Sequence, residues 1–147
     1  MKISIATDHG AFDLKNEIKS YFESIGHEVI DFGCFSDESV DYPPIIAKAA
    51  SAVSTGRCER GIVLCGSGIG ASIVANKING IRCALVYAPE LARLSREHNN
   101  ANMIALGGRF TDFDAAKELV DIFLNTEFQG GRHLRRVEQI MELEKFL

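Results

Sequence analysis

The sequence predicts an α/β fold, a parallel sheet sandwiched between two layers of helices. Three observations carry that reading. Several of the five short runs rich in Ile and Val are apolar on both faces, as strands covered on both sides must be. Amphipathic stretches with helical periodicity lie between them. The two kinds of segment alternate, strand then helix, five times, and a last helical pattern closes the chain.

The strands are expected at Lys2–Ala6, Glu28–Phe32, Gly61–Cys65, Arg82–Tyr87 and Asn102–Leu106. The first helix carries Ala11, Leu14, Ile18, Phe22 and Ile25 on one face, with Lys15, Glu17, Lys19 and Glu23 elsewhere. Asp41 before Pro43 and Pro44 reads as a capped helix start, and Ile46, Ala49, Ala50 and Val53 continue it. Ile69–Ile78 and Pro89–His98 are shorter helices. Thr111 or Asp112 caps a helix that buries Ala116, Leu119, Val120 and Phe123. The final helix, with Val137, Ile140, Met141 and Leu147, follows a hinge at Gln129-Gly130-Gly131. The 147 residues suit one domain, 1–147. A chain of that size buries about 68–70% of its unfolded surface and needs no disulfide or metal to fold.

Hydrophobic residues make up 46% and charged residues 24%, which excludes a disordered chain. The formal net charge of −4 argues against a general nucleic-acid binder, whose affinity rests on neutralising phosphates. The four cysteines, Cys34, Cys58, Cys65 and Cys83, contain no CxxC and match no zinc spacing. The first apolar run stops at Thr7, too short for a signal peptide or a membrane span. A reduced, cytoplasmic protein with free thiols is expected, with no membrane partner.

Ligands of open parallel sheets sit at the carboxyl ends of the strands. The first strand ends in Asp8-His9-Gly10, an acid and an imidazole suited to binding hydroxyls or moving protons. Asp8 could equally cap the following helix. The third strand ends in Cys65-Gly66-Ser67-Gly68-Ile69-Gly70 and opens a helix. Glycines there let backbone N–H groups converge on an anion or a developing oxyanion, and the helix terminus adds positive potential. That environment favours thiolate at Cys65, a candidate base or nucleophile, although a cysteine in that place is also a common core residue. Gly66, Gly68 and Ala71, with Glu90 further on, mimic a dinucleotide fingerprint. The mimicry is weak, because the loop follows the third strand and Glu90 lies beyond the next one. His98-Asn99-Asn100-Ala101-Asn102 is polar enough to hold a hydroxylated ligand, yet Asn100 is also a natural helix terminator. Gly107-Gly108-Arg109 brings a cation to the same edge. In Gly131-Arg132-His133-Leu134-Arg135-Arg136 the guanidiniums of Arg132 and Arg136 are one helical turn apart, suited to a phosphate or, more simply, to a surface helix balanced by Glu138 and Glu142.

Taken together, the sequence resembles the ribose-5-phosphate isomerase B family, which includes galactose- and allose-6-phosphate isomerases. The resemblance rests on Asp8-His9, Asp41-Tyr42-Pro43, the Cys65–Gly70 loop, Ala75-Asn76-Lys77, Gly80-Ile81-Arg82, His98-Asn99, Gly108-Arg109 and Gly130–His133, in order along almost the whole chain. It implies a Rossmann-like α/β/α sandwich with parallel strands in the order 2-1-3-5-4. It implies a homodimer or tetramer with active sites at the dimer interface, the last helix reaching the neighbour. It implies isomerisation of a phosphorylated sugar, with neither metal nor cofactor. By the same resemblance Cys65 is the base that takes the C2 proton; other members use a glutamate at the position of Ala71. The N–H groups of Gly66, Ser67, Gly68, Ile69 and Gly70 would hold the enediolate, and Ser67 stands where many members have threonine. His98 would open the sugar ring and Asp8 orient the hydroxyls or assist. His9, Arg109, Arg132 and Arg136 are expected at the phosphate, Asn99 at a hydroxyl or the enediolate, and Tyr42 on the wall. His133 matches a family position without an assigned role. The substrate expected is D-ribose 5-phosphate; a hexose 6-phosphate is the alternative, and a non-catalytic nucleotide or flavin module a remote one. A phosphosugar sensor without chemistry is disfavoured by Cys65, His98 and Asp8.

Overall fold

The computed structural model describes residues 1–146. Five strands, β1 (Lys2–Thr7), β2 (Glu28–Asp31), β3 (Arg60–Cys65), β4 (Cys83–Leu85) and β5 (Met103–Gly107), form one parallel sheet in the order β2-β1-β3-β5-β4. Helices α1 (Phe12–Ser24), α2 (Tyr42–Ser54), α3 (Ile69–Asn76), α4 (Pro89–Glu97) and α5 (Phe113–Asn125) each follow one strand, and α6 (Arg132–Glu142) comes last. The three-layer architecture and the strand order are those the sequence leads one to expect.

Alternation along the strands sorts the core into two faces. Ile3, Ile5, Ile62, Leu64, Ile104 and Leu106 pack with Leu14, Ile18 and Phe22 of α1 and Leu119, Val120 and Phe123 of α5. The opposite face carries smaller groups. Ala6, Val63, Cys65 and Ala105 meet Ile46, Ala49 and Ala50 of α2 and Ala71 and Ala75 of α3. There the buried Ser4 hydroxyl donates to the Ala49 carbonyl at 3.0 Å. Small residues let α2 and α3 lie close to the sheet, which brings the start of α2 over the end of β3.

Local chemistry sets the element ends. Asp112 caps α5 by accepting from Ala115 N–H at 2.8 Å. Two prolines occupy the first turn of α2, where a missing N–H leaves nothing unpaired. Strand β4 is shorter than the expected Arg82–Tyr87. The Asn76 side chain brackets Cys83 on both sides, accepting from its N–H at 2.8 Å and donating to its carbonyl at 2.9 Å. Arg82 turns instead to the carbonyls of Asn99 and Asn100. Lys15, assigned by periodicity to the polar side of α1, is only 1% exposed. Its ammonium is ion-paired to Asp31 at 2.7 Å.

Helix α6 leaves a left-handed pair, Gly130 (φ 65°) and Gly131 (φ 56°), conformations that glycine adopts without steric cost. It buries His133 and Val137 against its own chain and leaves Leu134, Ile140 and the following Leu143 exposed. Leu147 lies outside the described residues. Among those described, no helix is long and apolar enough to cross a membrane. The four cysteines are free thiols.

Phe123 is fully buried between α5 and the sheet. Phe123→Ala is expected to cost about 3–5 kcal/mol of stability. Urea unfolding should show this as a lower midpoint with an unchanged slope.

Candidate active site

Strand β3 ends at Cys65, whose side chain is nearly buried at the head of α3. The chain then turns through Gly68 (φ 79°), and the Gly68 N–H donates to the Cys65 sulfur at 3.1 Å. A Cβ at Gly68 would stand 2.8 Å from the Leu106 carbonyl carbon, so the loop tolerates no side chain there. Ser67 accepts from Ile69 N–H at 3.2 Å through its hydroxyl, and its carbonyl takes the Tyr87 hydroxyl. The loop is laced to the end of β5: Gly108 N–H donates to the Cys65 carbonyl at 2.9 Å and Arg109 N–H to the Gly66 carbonyl at 3.0 Å. Arg109 consequently lies over Gly66, its Cζ 3.1 Å from where a Cβ would be. The Tyr42 ring covers Gly70 in the same way.

The end of β1 forms the opposite wall. Asp8 is buried and accepts from Gly10 N–H at 2.8 Å, capping the short 3-10 turn His9–Ala11. The capping reading and the site reading of Asp8 therefore describe one geometry. His9 Nδ1 accepts from Val40 N–H at 3.2 Å. Together Asp8, His9, Tyr42, Cys65, Gly66, Ser67, Gly70 and Arg109 line a cavity of about 240 Å³. Gly10 lines it too, a residue that the sequence reading passed over because it bears no functional group. Gly68 is buried against Leu85 and the end of β5 and does not line the cavity, nor does Ile69, which is 51% exposed.

A second group gathers elsewhere. His98 ends α4, and its ring stacks on His133 of α6 with centroids 4.2 Å apart and planes 11° from parallel. Arg132 and Arg136 are exposed on the first turns of α6. No acidic residue stands in that first turn. Burial foremost, then the neighbouring His98, Arg132 and Arg136, hold the His133 imidazole below its ordinary value of 6.5. Asn99 is exposed and borders a separate groove of about 370 Å³ beside Arg82 and Ile140. Asn100 is the helix terminator, with φ 46° and its side chain accepting from Arg96 at 2.9 Å. Asn102 ties down the Gly80–Arg82 turn. Glu90, the acid of the dinucleotide mimic, is ion-paired to Arg93. Burial pushes the thiols of Cys34 and Cys58 up, and that of Cys83 up to about 12, so these three stay protonated at neutral pH.

A family model described as Ribose/Galactose Isomerase matches residues 3–140. The chain belongs to that family. A curated relative, ribose-5-phosphate isomerase B of Escherichia coli, is 44% identical over 98% of this chain and 97% of its own. The solved ribose-5-phosphate isomerase B of Clostridium thermocellum is 54% identical, with a TM-score of 0.97 over 99% of this chain and 98% of that one. The Mycoplasma genitalium ribose-5-phosphate isomerase B, solved with bound ribulose-5-phosphate, is 36% identical, with a TM-score of 0.95 over 98% and 96% of the two chains.

For a ribose/galactose isomerase the residues fall into two half-sets. The cavity holds the cysteine, the glycine loop, Asp8, His9, Tyr42 and Arg109. His98, Asn99, Arg132 and Arg136 line none of it. One chain therefore carries both halves, apart from each other.

The depressed His133 fixes the sign of one pH effect. The unfolded chain binds a proton there more readily than the folded one, so stability rises with pH across this titration. No penalty applies well above pH 6.5; it grows as pH falls below that value. His27, also lowered chiefly by burial, acts in the same direction. Thermal unfolding of wild type and His133→Asn at pH 7.5 and pH 5.5 should show a smaller acid-induced loss in the variant.

Proposed function

We propose that the chain interconverts D-ribose 5-phosphate and D-ribulose 5-phosphate, in active sites built from two copies of itself. The observation that carries the reading is the Cys65 sulfur at the edge of a polar cavity, beside a loop of backbone N–H groups. In the open-chain aldose, Cys65 as thiolate takes the proton from C2. The electron pair forms the C1–C2 double bond of a cis-enediol(ate), and the carbonyl oxygen takes the charge. The N–H groups of Gly66, Ser67 and Gly70, at the start of α3, hold that charge in place of water, those of Gly68 and Ile69 being bonded to Cys65 and Ser67. The proton returns to C1 as the O2 hydroxyl passes its own to O1, giving the ketose. Ser67 and Asp8 orient the hydroxyls, and His98 protonates the ring oxygen during opening. The chemistry calls for no metal or cofactor.

The second copy is argued from size and charge. The cavity of about 240 Å³ is smaller than the roughly 300–1,000 Å³ of most small-molecule sites. The cations that suit a phosphate stand at the start of α6, where the helix dipole already concentrates positive potential. The exposed Leu134, Ile140 and Leu143 make that helix a natural packing surface for a neighbour. Docked on a second copy, α6 and His98 of one subunit would complete the cavity of the other, with Arg132 and Arg136 at the phosphate and Asn99 at a hydroxyl.

Two tests follow. Wild-type protein in EDTA should convert D-ribose 5-phosphate, and Cys65→Ala should lose at least about a hundredfold in kcat while still binding a phosphorylated inhibitor, as expected when a positioned base is deleted (about 10²–10⁴-fold). Turnover of allose 6-phosphate alone would move the substrate to the hexoses. Arg136→Ala should chiefly raise KM. When Cys65→Ala and Arg136→Ala chains are refolded together and assayed at substrate far below the raised KM, mixed dimers with one intact site should restore about a quarter of wild-type activity. Sites confined to single chains would give no recovery.

A further inference from the structure

Among the described residues outside the cavity, the largest fully buried polar side chain is Lys15. Its ammonium donates to Asp31 Oδ2 and to the Cys34 carbonyl, both at 2.7 Å. It also faces the rings of Phe12 and Phe35, 5.5 Å and 5.2 Å from their centroids. The other oxygen of Asp31 accepts from Gly33 N–H at 2.8 Å. One buried ion pair thus pins the turn at the end of β2. That turn is in turn bonded to the end of β1: Thr7 N–H donates to the Gly33 carbonyl and Cys34 N–H to the Thr7 carbonyl, both at 2.7 Å. Thr7 immediately precedes Asp8 and His9 of the cavity.

The segment beyond the turn is irregular, and Phe35 to Ser39 are exposed. At its far end Val40 donates its N–H to His9 Nδ1, and Tyr42 opens α2. A ring nitrogen that accepts a hydrogen bond carries no proton, so His9 is held with its proton on Nε2. Replacing a buried ion pair by apolar residues of like volume is often neutral or stabilising, so stability gives little reason for a charge at this place.

We propose that Lys15 is a positioning residue for the isomerase site: paired with Asp31, it holds segment 31–42 so that Val40 fixes the tautomer of His9 and Tyr42 stands over the cavity. The inference rests on the isomerase reading for its kinetic consequence and on geometry alone for its structural one.

The test uses Lys15→Met, the double variant K15M/D31N, and Val40→Pro. The double variant removes both charges and so avoids leaving Asp31 buried without a partner. Val40→Pro deletes the N–H at His9 and leaves the ion pair in place. In each folded variant KM for ribose 5-phosphate should rise roughly tenfold with kcat changed far less, as for lost ground-state binding. In parallel, ¹⁵N NMR of the His9 ring, assigned with His9→Asn, should change from one proton-on-Nε2 tautomer in wild type to a mixture. A folded K15M/D31N protein with wild-type KM and an unchanged His9 signature would overturn the proposal. If wild-type protein leaves ribose 5-phosphate unconverted, the isomerase reading fails, and the NMR comparison still decides the role of Lys15.

Discussion

The shared register of three parallel strands is the constraint on which everything else depends. Thr7 pairs with Leu64, Leu64 with Leu106, and Cys65 with Gly107. Parallel strands point their carboxyl ends to one edge, so the loops that leave β1, β3 and β5 must leave together. Hydrogen bonding does not stop where the strands do. It runs on from Gly108 to Cys65, from Arg109 to Gly66, and from the Gly33–Cys34 turn to Thr7. An acid, a thiol and a guanidinium far apart in sequence thereby become neighbours on a backbone that has little freedom to move.

Much of this was legible because it obeys local rules. The doubly apolar strands and the helical periodicity place the elements in the right order, and turn glycines mark the β3–α3 loop; Asp112 caps α5 as its residue type predicts, whereas Asp41 precedes α2 without a side-chain cap. The central strands were legible because both their faces are apolar. Strand β4 begins later than its apolar run suggests because side chains, those of Asn76 and Arg82, decide where it starts. Lys15 was misplaced because helical periodicity sees charge but not a carboxylate brought in by β2. The candidate site was legible as a set of residues and not as a shape. Spacing named both His98 and Cys65, but whether they share one cavity depends on tertiary and quaternary packing.

The two half-sets also differ in their electrostatics. At Cys65 the positive potential comes from neutral N–H groups and a helix end, with Arg109 above them. At α6 it comes from formal charges, Arg132, Arg135 and Arg136, gathered where the helix dipole opposes cations. In an acidic protein with net charge −4, that crowding is unfavourable until an anion arrives. A preorganised dipolar cradle suits charge that appears and vanishes within a reaction. A cluster of guanidiniums suits charge that the ligand carries throughout.

The glycines at the sheet edge have a consequence for redesign. A methyl on Gly10 would meet the backbone of Gly66, one on Gly66 the Arg109 guanidinium, and one on Gly70 the Tyr42 ring. The three glycines that line the cavity therefore have no room for a side chain while Arg109 and Tyr42 keep their places. Substrate scope in this scaffold has to be rewritten from the walls, at His9, Tyr42, Ser67 and Arg109, while the glycines stay the same for every sugar that enters.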